Sequence, residues 1–331
     1  MGTSRERTKQ RWELRNEYFE TLKETASFVN PYVENFIETH FQLFPELKSL
    51  LLGRYRSGKT QLRSSSVRFS YETVGGKDWQ KIVPACAAVT LRETGYYCLD
   101  DYFDSDAKPE DLPLFGFPFF SISYGIISEL GNSFSAEQVK GVLRELYMLD
   151  ELCGQGFFVE QEGMDNETQY MKKVYGYNFW EQALRIGGIL GNGSSEDVEK
   201  LGEIGKNIGM AIIIANDTWD FAKGLEDFRL GKRTLPIMWA MQNVESRDRD
   251  TLESLIGQKH LSEEEIDEVR RIMVRNSVIE YGKERANGLC SVALALLSSF
   301  PDSKARSMIE FSTTMTQKNK YYKFLKGYAP K

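Results

Sequence analysis

Twice in this chain a run of apolar residues leads straight into three oxygen-bearing side chains at helical spacing. The sharper case is Gly209-Met-Ala-Ile-Ile-Ile-Ala-Asn-Asp-Thr-Trp-Asp220, where Asn216, Asp217 and Asp220 end an otherwise apolar stretch. Positions i, i+1 and i+4 of a helix lie on one face. The three therefore stand together at the end of a helix whose other residues seek burial. Carboxylates drawn into a core without partners are costly, so this end calls for a cation. Upstream, Thr94-Gly-Tyr-Tyr-Cys-Leu99 leads into Asp100, Asp101 and Asp104 at the same spacing. Two such helices facing each other predict a pocket with oxygen ligands on both walls. Mg2+ is the expected occupant, because it takes a few carboxylates and completes its shell with water and phosphate oxygens. The substrate so predicted carries a diphosphate.

The rest of the chain supports a helical frame. Tyr18, Leu22, Ala26, Val29, Val33, Ile37, Phe41 and Phe44 recur at helical intervals. Pro31 and Pro45 are expected to divide that region into short helices. Gly75-Gly76 ends the next segment, and residues 79–104 read as one long helix carrying the first acidic cluster. Lys108 to Pro118, with its prolines, reads as a loop, and its place after that helix makes it a candidate lid. Ser135 to Gln138 and Ser262 to Glu265 have the pattern of capping boxes. Gly191 to Ser195 is a turn, with Ser194 and Asp197 capping the helix that bears the second acidic cluster. No stretch alternates with period two, so no sheet is expected. The expectation is an all-α protein in which residues 1–331 form a single domain, a bundle of about ten helices.

Composition removes several alternatives. The net charge of −6 and the lack of a long basic block argue against a nucleic-acid partner. His40 and His260 are the only histidines, which sets aside imidazole catalysis and histidine-ligated metal. Cys86, Cys98, Cys153 and Cys290 have no paired spacing and read as reduced thiols of a cytoplasmic protein. The first residues lack the apolar core of a signal peptide, and Glu6 stands where a myristoylation start needs Ser or Thr. No run approaches the ~20 apolar residues of a membrane span, so stable membrane insertion is not expected. Ser57-Gly-Lys-Thr-Gln-Leu-Arg63 is similar to the end of a phosphate loop but lacks its first glycine and preceding strand. Lys59 and Arg63, four apart, are read equally as a pair for an anionic substrate or as a solvated helix start.

Taken in order, these residues resemble the trans-isoprenyl diphosphate synthases, the polyprenyl synthetase family. The resemblance runs from about Gly58 to Met241. It rests on a Lys/Arg segment ending in Gly75-Gly76, Asp-Asp-x-x-Asp at Asp100, Gly154-Gln155, Asn-Asp-x-x-Asp at Asn216, and Asp227-Phe-Arg-Leu-Gly-Lys-Arg-Thr-Leu-Pro236. It implies the isoprenoid (class I terpenoid) synthase fold and an allylic prenyl diphosphate substrate. That substrate would be bound through Mg2+ held by Asp100, Asp101, Asp104, Asn216, Asp217 and Asp220. Gln155 and Lys232 are implied in substrate binding beside Lys59 and Arg63, and a homodimer is implied as well. Metal draws charge onto the leaving diphosphate, and an allylic carbocation forms in a dry cavity. Tyr96, Tyr97, Phe157, Phe158, Tyr177 and Trp219 are aromatic candidates for its walls, equally readable as core. Bulky Tyr96, four residues before Asp100, points to a short substrate.

The departures from the family pattern gather where isopentenyl diphosphate would bind. Pro109 and Glu110 stand in place of an arginine pair, Tyr177 and Asn178 in place of Lys-Thr, and Ile213 in place of a glutamine. Thr60 and Gln61 fall on basic positions, Glu93 on a histidine or glutamine, and Phe158 on an aspartate. Asn216 replaces an aspartate, and the loop from Asp220 to Asp227 is short. A second diphosphate without arginine partners is poorly neutralised. The reading placed first is accordingly a terpene-synthase-like cyclisation or elimination from one substrate. Elongation with isopentenyl diphosphate and prenyl transfer to another acceptor follow, with a non-catalytic subunit of a heteromeric synthase last. The basic stretch Lys318–Lys331 reads as a solvated tail or as a flap over the diphosphate.

Overall fold

Residues 4–57, 62–103, 113–221 and 224–317 are described by a computed structural model of the chain, and among them no strand occurs. Among the described residues fifteen α-helices follow one another. They are α1 (Ser4–His40), α2 (Pro45–Ser57), α3 (Leu62–Thr73), α4 (Val83–Phe103), α5 (Pro113–Ser128), α6 (Ala136–Glu162), α7 (Glu167–Gly176) and α8 (Phe179–Leu190). Then come α9 (Ser195–Asp220), α10 (Glu226–Arg229), α11 (Leu235–Asn243), α12 (Ser246–Leu255), α13 (Glu263–Arg275), α14 (Val278–Leu297) and α15 (Lys304–Gln317). The expected number was lower because periodicity does not resolve short segments such as the four-residue α10. No described helix is long and apolar enough to cross a membrane.

Two expectations about proline are corrected. Pro31 does not end a helix but sits inside the 37-residue α1. An interior proline costs about 3 kcal/mol, and here Val29, Val33 and Ile37, all fully buried, form one stripe across it. Their packing outweighs the missing N–H. Likewise 113–118 is not loop. Pro113 opens α5, where its absent N–H is no loss. Pro118 lies inside the same helix while Phe119, Ile122 and Ile126 anchor it in the core. The remainder of the candidate lid, 104–112, lies outside the described residues, as do Lys59, Asp104 and 318–331.

The chain packs as two compact units, each assembled from three chain segments. The first takes Met1–Asp150, Phe179–Gly205 and Leu296–Phe311. Its core joins Val33 and Ile37 of α1, Val67 of α3, Leu91 of α4, Phe119 of α5, Leu146 of α6 and Ile186 of α8. Helices α3 and α8 touch backbone to backbone at Gly187, where a Cβ would lie 2.1 Å from the Val67 carbonyl. The second unit takes Glu151–Asn178, Lys206–Ala295 and Ser312–Lys331. Tyr170 and Val174 of α7, Ile214 and Ala215 of α9 and Met238 of α11 pack together there. Gly176 lets α7 approach α6, since a Cβ on it would meet the Gly156 Cα at 2.6 Å. The capping boxes stand as expected. Ser262 and Glu265 satisfy each other's backbone N–H at the start of α13, and Ser194 and Asp197 do so before α9.

Candidate active site

In the first unit, α4 buries every residue from Ala85 to Tyr96 and then brings Asp100 and Asp101 out to partial exposure. Asp101 is not free: the Arg54 guanidinium of α2 donates to it at 2.6 Å. Arg54 is therefore a cation already standing at the first acidic motif. Exposed pairs are worth up to about 1 kcal/mol, so Arg54→Met is expected to lower the Mg2+ concentration for half-maximal activity about threefold. A Mg2+ titration of the variant that overlays the wild type would show that the pair has no bearing on metal.

Tyr96 is committed to packing. Its hydroxyl donates to Asp150 at 2.9 Å, and its ring lies 4.8 Å from Phe120 and 5.6 Å from Phe179. Fully buried Arg92, one turn earlier, also pairs with Asp150 and lies 4.0 Å from the Tyr124 ring centre. Gly95 admits Phe120, which comes within 2.5 Å of where a Cβ would be. The face of α4 that precedes the acids is thus filled by side chains.

Arg63 already has a charged and an aromatic neighbour. It ion-pairs with Glu93 at 3.0 Å and lies 5.9 Å from the centre of the Trp180 ring. Tyr97 donates to the same carboxylate at 2.9 Å. Burial works against the guanidinium charge most, yet Glu93, Tyr97 and Tyr18 outweigh it and hold its pKa above the ordinary value.

The second unit holds the other motif at the end of α9. Gly209 sits under Asn178, whose Oδ1 is 1.9 Å from where a Cβ would be, and that contact brings α9 against the chain just after α7. Asn216 is exposed, whereas Asp217 and Asp220 are buried. Tyr170 of α7 donates to Asp217 at 2.6 Å. One Asp220 oxygen accepts from the Glu226 N–H at 2.8 Å, and the other is buried with no hydrogen-bond partner. Burial, and then the negative charge of Asp227, push the Asp220 carboxyl up to about 6. Asp217 is pushed upwards by burial too, against the pull of Lys173 and with Asp227 and Glu160 adding to the rise. At both carboxylates burial outweighs the groups that favour the charged form.

Around them stand residues that sequence reasoning did not select: Glu160, Tyr170 and Lys173. Lys173 donates to Glu160 at 2.6 Å, and the Tyr177 hydroxyl takes the other Glu160 oxygen at 2.6 Å. Tyr170, Lys173 and Tyr177 recur at i, i+3 and i+7, a signal that the sequence carries. Lys232 lies 3.7 Å from Asp227. Trp219 is half-buried and packs on the apolar cores of this unit. Gln155 is exposed and donates to Glu151 at 3.3 Å. Phe157 and Tyr177 meet edge to face at 4.9 Å, while Phe158 is exposed.

Among the described residues no three His, Cys, Asp or Glu side chains converge into a metal cage by themselves. Mg2+ usually takes one or two carboxylates and draws its remaining oxygens from water and substrate phosphates. The buried, unpartnered oxygen of Asp220 beside Asp217 fits such an ion.

The polyprenyl synthetase family model matches residues 115–273. A short chain isoprenyl diphosphate synthase of Methanocaldococcus jannaschii is 26% identical over 231 residues, 62% of this chain and 69% of that one. A geranylgeranyl diphosphate synthase of Saccharolobus solfataricus is 22% identical over 306 residues, covering 85% of this chain and 91% of that one. The crystal structure of geranylgeranyl pyrophosphate synthetase from Pyrococcus horikoshii superposes with a TM-score of 0.84 at 22% identity, over 92% of this chain and 99% of that one. A Caulobacter crescentus polyprenyl synthase, solved with calcium and isoprenyl diphosphate, gives 0.77 at 18% identity over 89% and 95%. The all-α fold is that of these synthases.

Proposed function

The chain belongs to the polyprenyl synthetase family, and from that premise we propose that it is a Mg2+-dependent prenyltransferase that lengthens an allylic prenyl diphosphate with isopentenyl diphosphate. The observation that carries the site is the buried pair Asp217 and Asp220, with one Asp220 oxygen unpartnered. We assign Asp217 and Asp220, with Asn216, to metal binding in the second unit, and the motif of Asp100, Asp101 and Asp104 to metal binding in the first. Bound there, Mg2+ supplies positive charge to the departing diphosphate. Lys232 adds its ammonium to that anion, and Tyr170 holds Asp217 in place through its 2.6 Å hydrogen bond. The C1–O bond breaks with its electron pair leaving on diphosphate, the isopentenyl double bond attacks C1, and a proton is then lost. Tyr96, packed among Phe120 and Phe179, restricts the room before Asp100 to a short prenyl tail. We read the two units as parts of one domain, because each is built from interleaved chain segments.

Elongation replaces single-substrate cyclisation as the leading reading because the matching relatives are named as synthases of prenyl diphosphates. One observation favours a second reading, prenyl transfer to a different acceptor: the Arg63 charge that would meet isopentenyl diphosphate is already matched by Glu93. The test incubates the protein with Mg2+ and C10, C15 or C20 allylic diphosphates, with and without isopentenyl diphosphate. A longer prenyl diphosphate formed only with both substrates is the expected result. Pyrophosphate and a hydrocarbon or alcohol from one substrate alone would overturn it, and prenylation of an added peptide or small molecule would select the second reading.

A further inference from the structure

Helix α7 has two working faces, and only one of them serves the acidic motif. At about 100° per residue, Tyr170, Lys173 and Val174 fall on one side, all buried, and Tyr170 there bonds Asp217. Thr168, Met171, Lys172 and Tyr175 fall on the opposite side, where Thr168 and Lys172 are exposed and Met171 and Tyr175 half-buried. Together with Glu167 and with Arg285 of α14, these four line a pocket of about 500 Å3. That volume suits a small organic ligand.

The lining is divided in its chemistry. Met171 and the Tyr175 ring supply an apolar part, while Lys172 and Arg285 bring two cations against the single carboxylate of Glu167. That carboxylate is already engaged. One of its oxygens accepts from Arg285 and the other from the Tyr281 hydroxyl at 3.0 Å. Tyr281 is stacked in turn on Trp239, their ring centres 5.2 Å apart. Glu167 thus fixes the guanidinium at the pocket more than it opposes an incoming anion. The Lys206 ammonium, 5.0 Å from the centre of the Tyr175 ring, adds positive charge close by. In a chain of net charge −6, this concavity has the opposite sign and favours anions. We propose that the pocket is a second ligand site, separate from the acidic motif, for a small organic anion. Its phosphate or carboxylate head lies between Lys172 and Arg285, and its apolar body covers Met171 and Tyr175. A bare anion leaves the apolar part uncovered, and a neutral apolar molecule leaves the cations unmatched, so the ligand needs both halves. Binding here requires neither Mg2+ nor Asp217.

The experiment uses the full chain carrying Thr168→Cys, in EDTA. The four native cysteines are buried, so alkylation by neutral iodoacetamide reports on the pocket. Phenyl phosphate is the probe, and each rate is divided by the same protein's rate without ligand. Phenyl phosphate is expected to slow alkylation saturably. Inorganic phosphate, without the ring, and benzyl alcohol, without the charge, should each need at least about tenfold more for the same protection. Adding Lys172→Glu should raise the phenyl phosphate midpoint at least about tenfold. Lys259→Glu, the same charge change on an exposed lysine elsewhere in the unit, should leave it within about twofold. Absence of saturable protection would overturn the site, and so would protection that survives Lys172→Glu or is lost equally in Lys259→Glu. Inorganic phosphate or benzyl alcohol protecting as well as phenyl phosphate would overturn the two-part ligand.

Discussion

Asp217→Asn is expected to lower the rate of diphosphate release by about a thousandfold while raising the melting temperature of the metal-free protein. The rate loss follows from removing a charge that holds the metal. Deleting one such stabilising group costs roughly 10²–10³ in rate, and a thousandfold corresponds to about 4 kcal/mol of barrier. The stability gain follows from the sign of the pKa shift. Burial raises the folded-state pKa of Asp217, and that of Asp220 to about 6, above the ordinary value of 3.8. Over that window the native state binds more protons than the unfolded chain, so stability falls as pH rises through it. At pH 7.5 without metal the wild type therefore bears the cost of buried charge, and the asparagine variant bears less. Melting curves in EDTA should show the wild type gaining on acidification from pH 7.5 to 5 more than the variant does. Mg2+ with pyrophosphate should stabilise the wild type selectively by mass action. A variant with near-normal turnover, or one that melts below the wild type at pH 7.5, would remove the buried carboxylates from the centre of the mechanism.

How far this was legible beforehand differs by residue. The apolar lead-ins to Asp100 and Asp217 are carried by composition and spacing alone, so α4 and α9 and the burial of their faces could be read directly. Caps at Ser135, Ser194 and Ser262 were legible because their partners lie three residues away. What failed was local inference against tertiary packing. Pro31 and Pro118 lie inside helices because the stripes Val29-Val33-Ile37 and Phe119-Ile122-Ile126 are buried across them, and burial is not written in a proline. The pairing of side chains distant in sequence failed for a different reason. Glu93 was noticed as a departure from the family pattern, yet its bond to Arg63 joins α3 to α4 and has no local signature. Lys173 carries no local mark of burial, since a lysine beside another lysine on a short amphipathic helix ordinarily faces water. Only the fold shows it against Glu160.

The Arg63–Glu93 pair carries the second large effect. Glu93 is 5% exposed, and Arg63 and Tyr97 are the groups that meet its carboxylate. Arg63→Met leaves that carboxylate buried with one hydroxyl, and breaking a buried pair by removing one partner costs about 3–5 kcal/mol. Chemical denaturation should register this directly, and most of the loss should return in the Arg63→Met, Glu93→Gln double variant, where no charge is stranded. The single Glu93→Gln variant probes function. It keeps an acceptor for the guanidinium but releases its positive charge towards any anion that approaches, a change of the size of one charge-assisted hydrogen bond, about 1.5–3 kcal/mol. If isopentenyl diphosphate is the acceptor, its KM should fall about tenfold in that variant while the KM of the allylic substrate stays within about twofold. If the acceptor is something else, the added charge finds no second diphosphate and neither constant moves. Glu93 thereby separates the two readings of the chain: a fall confined to isopentenyl diphosphate places Arg63 in the acceptor site, and unchanged constants in a folded Glu93→Gln protein make the pair a structural device inside the first unit.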